Sequence, residues 1–186
     1  IDVGSRTVTV AGALSGAGVL EVGRTAYEGS TFSSTTGILA VGDSAKSFMG
    51  RTVLGGGSLL VSTSDALKNS TLEVSAGVGS VGFGASSVNL GGLAGDMSLN
   101  FASPGILSVG LNGENTRYAG ILSGGSLTLR KVGSGNLSLG NVNAYSGPTI
   151  VDKGTLTLES GAFVGSSLIS LGTASSLVIN GGSLDL

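Results

Sequence analysis

Apolar and polar residues alternate along this chain in short tracts bounded by glycine. Leucine or valine recurs two positions apart at Leu20/Val22, Leu39/Val41, Leu59/Val61, Leu72/Val74, Leu107/Val109, Leu127/Leu129, Leu137/Leu139 and Leu156/Leu158. A period of two is the side-chain period of a strand with one buried face. The residue between is often Ser, Thr or Glu, which suits the wet face. No tract keeps apolar residues at i, i+3, i+4 and i+7, so no helix is expected. Glycine is also too frequent for helix interiors, where it costs about 1 kcal/mol against Ala. It marks strand ends and corners instead. Asn112-Gly113, Asn180-Gly181 and Asp152-Lys153-Gly154 carry turn chemistry.

The pattern also repeats over a long range. Gly16-Ala17-Gly18-Val19-Leu20-Glu21-Val22-Gly23 returns as Gly133-Ser134-Gly135-Asn136-Leu137-Ser138-Leu139-Gly140. Tyr27, Gly29 and Thr31 return as Tyr145, Gly147 and Thr149. Gly37-Ile38-Leu39-Ala40-Val41 returns as Gly154-Thr155-Leu156-Thr157-Leu158. The offset is the same to within a single position throughout. Many leucine anchors also recur at a near-constant short interval: Leu20 to Leu39, Leu39 to Leu59, Leu107 to Leu127 and Leu137 to Leu156. Two all-β architectures compete: an antiparallel sandwich or barrel, and a parallel β-solenoid of similar stacked coils. Self-similarity favours the solenoid. About nine coils of ~20 residues, rising ~4.8 Å each, would make a rod roughly 45 Å long.

Composition agrees with a packed fold and narrows its partners. The 186 residues include 35 Gly, 40% are hydrophobic and only 11% are charged. Mean hydropathy is +0.45. Disordered chains have the opposite balance. Glycine and serine interrupt every apolar stretch before it reaches the ~18–20 residues of a membrane helix. Nine basic residues are scattered, with only Arg130 and Lys131 adjacent, and the net charge is −2. Phosphate backbones demand clustered positive charge, so nucleic acid is not an expected partner. The chain starts at Ile1 without an initiator Met, which suggests a processed piece or a segment of a longer protein.

The run from Tyr118-Ala119-Gly120-Ile121-Leu122-Ser123-Gly124 through Leu127-Thr128-Leu129-Arg130-Lys131-Val132-Gly133-Ser134-Gly135-Asn136-Leu137-Ser138-Leu139 continues into Asn143-Ala144-Tyr145-Ser146-Gly147-Pro148-Thr149-Ile150-Val151-Asp152-Lys153-Gly154-Thr155-Leu156-Thr157-Leu158. This run resembles the autotransporter-associated β-strand repeat, or passenger-associated transport repeat. Its pattern is roughly Y-x-G-x-I-x-G-x-G-x-L-x-K-x-G-x-G-x-L-x-L, then N-x-Y-x-G-x-T-x-V-x-x-G-x-L-x-L. The close match is 118–158, and a weaker copy lies near 11–41. Ala11-Gly12-Ala13-Leu14-Ser15-Gly16 matches Ala119–Gly124 at a shorter offset than the rest of that copy. The later copy therefore holds extra residues around Gly125 to Val132, read as an added strand. The resemblance implies a right-handed parallel β-helix in the exported passenger of a Gram-negative surface protein. It also implies a separate outer-membrane β-barrel translocator, and a stalk in place of an active site.

Candidate chemistry is sparse. With no His and no Cys, the usual Ser-His-Asp and Cys-His nucleophiles and the common zinc sites are excluded. Gly77-Val78-Gly79-Ser80-Val81-Gly82 fits G-x-G-x-x-G but leads into Phe83-Gly84, not a helix, and reads as a corner. Gly91-Gly92-Leu93-Ala94-Gly95-Asp96 is one residue off a calcium β-roll repeat, occurs once, and reads as a turn. Thr7/Thr9 form a single Thr-x-Thr pair, too little for an ice-binding face. Tyr27, Tyr118 and Tyr145 could stack on sugars, but packing against turns is the expected role for those in the repeated motif. The acids are dispersed and read as solvated charge. No catalytic, cofactor-binding or metal residue is expected, and no cofactor. The expected product is one β-solenoid segment over 1–186, an extracellular structural stalk or fibre. An adhesin or carbohydrate-binding segment is the alternative, and a polysaccharide-cleaving β-helix a lesser one. Both ends read as mid-pattern strand text without a cap, so end-to-end self-association or continuation of the same solenoid is also expected.

Overall fold

The structure, a computed structural model, describes residues 7–10, 12–23, 37–45, 47–76, 79–101, 105–165, 169–179 and 183–185, with side chains through 162. The described residues form a parallel β-solenoid. Every strand pairing among them is parallel. Their one helical element is a three-residue 3-10 turn at Asp43–Ala45.

Each full coil has three faces. One ladder stacks Val19–Val22, Arg51–Leu54, Leu67–Val74, Ser87–Gly95, Thr116–Tyr118, Asn136–Leu139, Thr149–Leu158 and Ile169–Ile179. The four longest of these strands bend around a corner. Their first halves belong to a second ladder, where they stack with Ile106–Val109 and Thr128–Lys131. The third face is built in two lengths. Thr7–Thr9, Ile38–Val41, Ser58–Val61 and Ser80–Phe83 form a four-stranded sheet. Leu99–Asn100, Leu122–Gly124, Val142–Tyr145, Phe163–Gly165 and Ser183–Asp185 form a five-stranded one. The rings of Phe83 and Phe101 stack at 4.5 Å across the break between them.

The register reports coil length directly. Arg51 pairs Thr71, Tyr118 pairs Leu139, and Leu139 pairs Leu158. An ordinary coil therefore takes roughly 20 residues, the short end of the range for stacked repeat units. The first step is about half as long again, since Val19 pairs Arg51 and Thr7 pairs Ile38. The coil count differs slightly from the expected nine: the longest ladder has eight rungs among the described residues, four of them before Leu99, and the five-stranded sheet counts five regular turns.

Alternation set the core correctly. Leu39, Val41, Leu59, Val61, Leu72, Val74, Leu107, Val109, Leu127, Leu129, Leu137, Leu139, Leu156 and Leu158 are all buried. Their intervening residues are mostly half-buried on the outer face. Each buried aliphatic side chain contributes about 1.5–3 kcal/mol, which offsets the ordering of a glycine-rich chain.

Two halves of the long-range repeat fare differently. Val19–Val22 and Asn136–Leu139 occupy the same ladder, as their equivalence requires. Ile38–Val41 joins the four-stranded sheet, whereas Thr155–Leu158 lies in the longest ladder. The same spacing therefore leads to the next face in the first copy, but through a whole turn and back to the longest ladder in the second. The short match misplaces Ala11–Gly16 in the same way. Ser15–Gly16 pairs Ser47–Phe48, while Leu122–Gly124 belongs to the five-stranded sheet. The extra residues around 125–132 do supply a strand, Thr128–Lys131, and it is an ordinary rung of the second ladder.

Candidate functional site

The tract that resembles a transport repeat places several polar side chains inside the coil, where they meet backbone groups or other side chains. Tyr118 ends the Thr116–Tyr118 strand with its ring inward and fully buried. Its hydroxyl donates to the Met97 carbonyl of the preceding coil at 2.5 Å. Gly120 leaves room for that bond, because a Cβ there would stand 2.6 Å from the Tyr118 hydroxyl and 2.2 Å from the Met97 oxygen. The Y-x-G spacing is therefore a packing requirement. Burial pushes the Tyr118 hydroxyl pKa far above its ordinary value. Tyr145 ends the Val142–Tyr145 strand on the third face, also buried, with its hydroxyl 2.7 Å from the Thr149 hydroxyl. Burial pushes its pKa up to about 12.

Asn143 is buried beside it. Its Oδ1 accepts from the Leu122 amide at 2.9 Å, and its Nδ2 donates to the Asn141 carbonyl at 3.0 Å. Asn141 donates in turn to the Ala119 carbonyl at 3.0 Å. These amides pair backbone groups that the corner leaves out of the ladder. The expectation that tyrosines pack against turns holds for Tyr118 and Tyr145. Tyr27 lies outside the described residues.

Several charged side chains on the outer faces pair one to one. Arg130 meets Asp152 at 2.7 Å, Arg117 grips both oxygens of Glu159 and Arg51 contacts Glu73 across coils, while Lys68 lies 3.5 Å from Asp65 within one coil. Cleavage of an acidic polysaccharide calls for several acids and bases converging on one spot. The pairs here are strung along the rod, one acid to one base. Among the described residues no three His, Cys, Asp or Glu side chains gather as metal ligands.

The motifs singled out in the sequence are absorbed into the scaffold. Gly79 and Gly82 of the G-x-G-x-x-G tract lie at the start of and within the Ser80–Phe83 region, while Gly77 and Val78 lie outside the described residues. Gly91–Gly95 is not the turn expected. It belongs to the nine-residue strand Ser87–Gly95, with a register shift between Leu90 and Gly92 where the strand bends. Asp96 accepts from the Ala76 amide at 2.7 Å. Asp152-Lys153-Gly154 is likewise a bend inside the continuous strand Thr149–Leu158. Thr7 and Thr9 stand on an exposed strand.

A cleft of about 360 Å³ opens where the third face changes sheets. Phe83, Ser86, Asn100 and Phe101 help to line it, and none of its lining residues is charged. The sequence reading missed this cleft, since it depends on how two successive coils splay at one edge. It also missed Lys131, which is wholly buried.

Comparison with known proteins meets this geometry at one stretch. Residues 129–158 match the model of the passenger-associated-transport-repeat family. That stretch of the chain is similar to a passenger-associated transport repeat. The repeat runs from the inward Leu129 to the inward Leu158, and so spans the corner that holds Lys131, the Asn143 and Tyr145 rung, and the bend at Gly154. No curated protein and no solved structure matches the chain. No helix among the described residues is long and apolar enough to cross a membrane.

Proposed function

We propose that this chain is a length of β-helical stalk or fibre in a secreted or surface-anchored, autotransporter-like protein of a Gram-negative-type bacterium. The coincidence of the transport repeat with regular, parallel coils carries this reading. The repeat's own polar residues also support it. Tyr118, Tyr145, Asn143 and Asn141 satisfy backbone or side-chain groups within the rod, and its charges pair along the outer faces. Residues spent in this way maintain a shape and are not turned toward a substrate, so the segment is read as structural, not as an enzyme. An outer-membrane β-barrel translocator elsewhere in the full protein belongs to the same reading. So does continuation of the rod by more solenoid or by a second copy, because in-register parallel coils present the same outline at every rung.

Fusion of the chain between a secretion signal and a β-barrel translocator tests the proposal. Cell-surface protease accessibility of an attached tag should be high, and should fall severalfold when 118–158 is removed. Equal display with and without that segment would count against a transport and stalk role. The uncharged cleft beside Phe83 and Phe101 favours the adhesin or carbohydrate-binding alternative. Saturable binding of the displayed chain to neutral glycans, lost in Phe83→Ala, would establish that reading instead.

A further inference from the structure

Lys131 occupies a place where the ladder is otherwise aliphatic. Reading along the coils, Leu90 pairs Val109, Val109 pairs Lys131, Lys131 pairs Val151, and Val151 pairs Leu171. Leu90, Val109 and Val151 are fully buried, and so is Lys131. A buried ammonium is costly unless all its donors are matched. Here all three are. Nζ donates to the carbonyls of Val132 at 2.7 Å, Gly133 at 3.0 Å and Lys153 at 3.1 Å. The first two belong to its own corner and the third to the coil that follows. Glycines of the flanking coils wall the ammonium in. A Cβ at Gly110 would stand 3.1 Å from Nζ, and one at Gly154 2.9 Å from it. Gly154 also holds φ +74°, a left-handed conformation that side chains resist. The site is therefore shaped around the charge from both neighbours.

We propose that Lys131 is a lock between coils, closing the corner at 131–135 only when the backbone of the 149–158 coil has docked against it. Without Lys153 the ammonium lacks one acceptor and the wall that Gly154 provides, so a corner closed alone would bury one donor of the charge unmatched. An aliphatic residue at this position would close by hydrophobic contact with whichever coil arrived first. The lysine thus makes two adjacent coils open and close as one unit. Burial lowers the Lys131 pKa, in keeping with a charge held away from water. The inference concerns the rod itself and stands apart from any role in transport.

Hydrogen exchange on the full chain tests it. In the wild type, amides of 132–135 and of 152–155 should exchange together. Lys131→Met, which keeps length and suits the aliphatic ladder, should raise exchange at 132–135 at least tenfold and uncouple it from 152–155. Leu129→Met, inward on the same strand, should leave the coupling intact. In Lys131→Ala, propylammonium chloride replaces the missing part of the side chain. It should restore joint protection saturably, and 1-propanol at equal concentration should not. If Lys131→Ala unfolds outright, recovery of the native melting transition by propylammonium alone reads the same way. Wild-type coupling in Lys131→Met, or equal rescue by propanol, would overturn the proposal.

Discussion

The rungs before Leu99 and the five turns after it share one ladder but are built differently. The early part takes a first step about half as long again as an ordinary coil, and closes its third face with a four-stranded sheet that stops at Phe83. Its buried polar groups are hydroxyls: Thr52 meets Ser70 at 2.8 Å, Ser70 donates to the Gly50 carbonyl at 2.7 Å, and Thr71 donates to Glu114 at 2.7 Å. The later part keeps the ordinary step from rung to rung. Besides the Ser108 and Thr149 hydroxyls it buries an amide, two phenols and an ammonium: Asn143, Tyr118 and Lys131 meet backbone groups, and Tyr145 meets the Thr149 hydroxyl. Val19 and Met49, 64% and 62% exposed, belong to the early part. The difference shows what regularity requires. Coils of equal length place equivalent corners above one another, and stacked corners can then be joined by side chains that reach from one coil to the next. Solenoid stability is close to a sum of coil and neighbour terms, so such links should matter more in the later part.

The largest test of this contrast is a charge placed in the later core. Leu137→Asp should cost about 4 kcal/mol or more and melt the coils around 136–158, because it buries a carboxylate without a partner. Ser138→Asp, on the outer side of the same strand, should stay within about 0.5 kcal/mol. Equal melting temperatures for the two would sink the register. Leu39→Asp should disrupt the early sheet while hydrogen exchange at 136–158 stays slow. Loss of protection along the whole rod would instead make it one cooperative unit.

Alkaline pH should act on the later part next. The raised tyrosine pKa values mean that the folded state keeps its phenolic protons more tightly than the unfolded chain, whose tyrosines ionise near pH 10. That contribution is complete below pH 10 and is lost as pH rises toward and through about 12. Each of Tyr118 and Tyr145 should therefore lower stability by up to about 1.4 kcal/mol per pH unit in that window. Lys131 has the opposite sign: its folded pKa lies below 10.5, so stability rises as pH climbs from that value to 10.5. Denaturant titrations from about pH 9 to about pH 12 should show a net fall in the wild type. In the Tyr118→Phe/Tyr145→Phe double variant the fall should be absent or reversed.

Smaller effects refine the picture. At neutral pH, Tyr145→Phe should cost about 1–2 kcal/mol in denaturant melts, through the lost bond to the Thr149 hydroxyl. Arg130→Ala should cost no more than about 1 kcal/mol, since the Arg130–Asp152 pair is partly exposed and screened. A loss for Arg130→Ala larger than that for Tyr145→Phe would mean that the outer charges, not the inward polar groups, join the coils.

Much of the interior could be read from alternation, including one residue that was passed over. Leu127, Leu129 and Lys131 stand at every second position, so the same rule that buries the leucines points the lysine inward. Its charge hid the signal, because a lysine beside Arg130 reads as surface. Asn143 and Tyr145 carry the same inward spacing. The bends at Gly91 and Gly154 look like turns in sequence because glycine marks both. Only the coil decides that the strand continues through them, since hydrogen bonds to the neighbouring rungs persist on either side.

What the sequence determined by itself is local and periodic: strand positions, the buried side of each strand, the regular recurrence of the leucine anchors and the likeness of 129–158 to a transport repeat. What only the tertiary structure decided is which face each tract occupies. Leu39/Val41 and Leu156/Leu158 have the same alternation and the same glycine before them, yet they lie on different sheets. An alternating strand suits any of the three faces equally well. The choice depends on how many residues the preceding corners consume and on which rung is already there to pair with, and both are properties of the stacked chain.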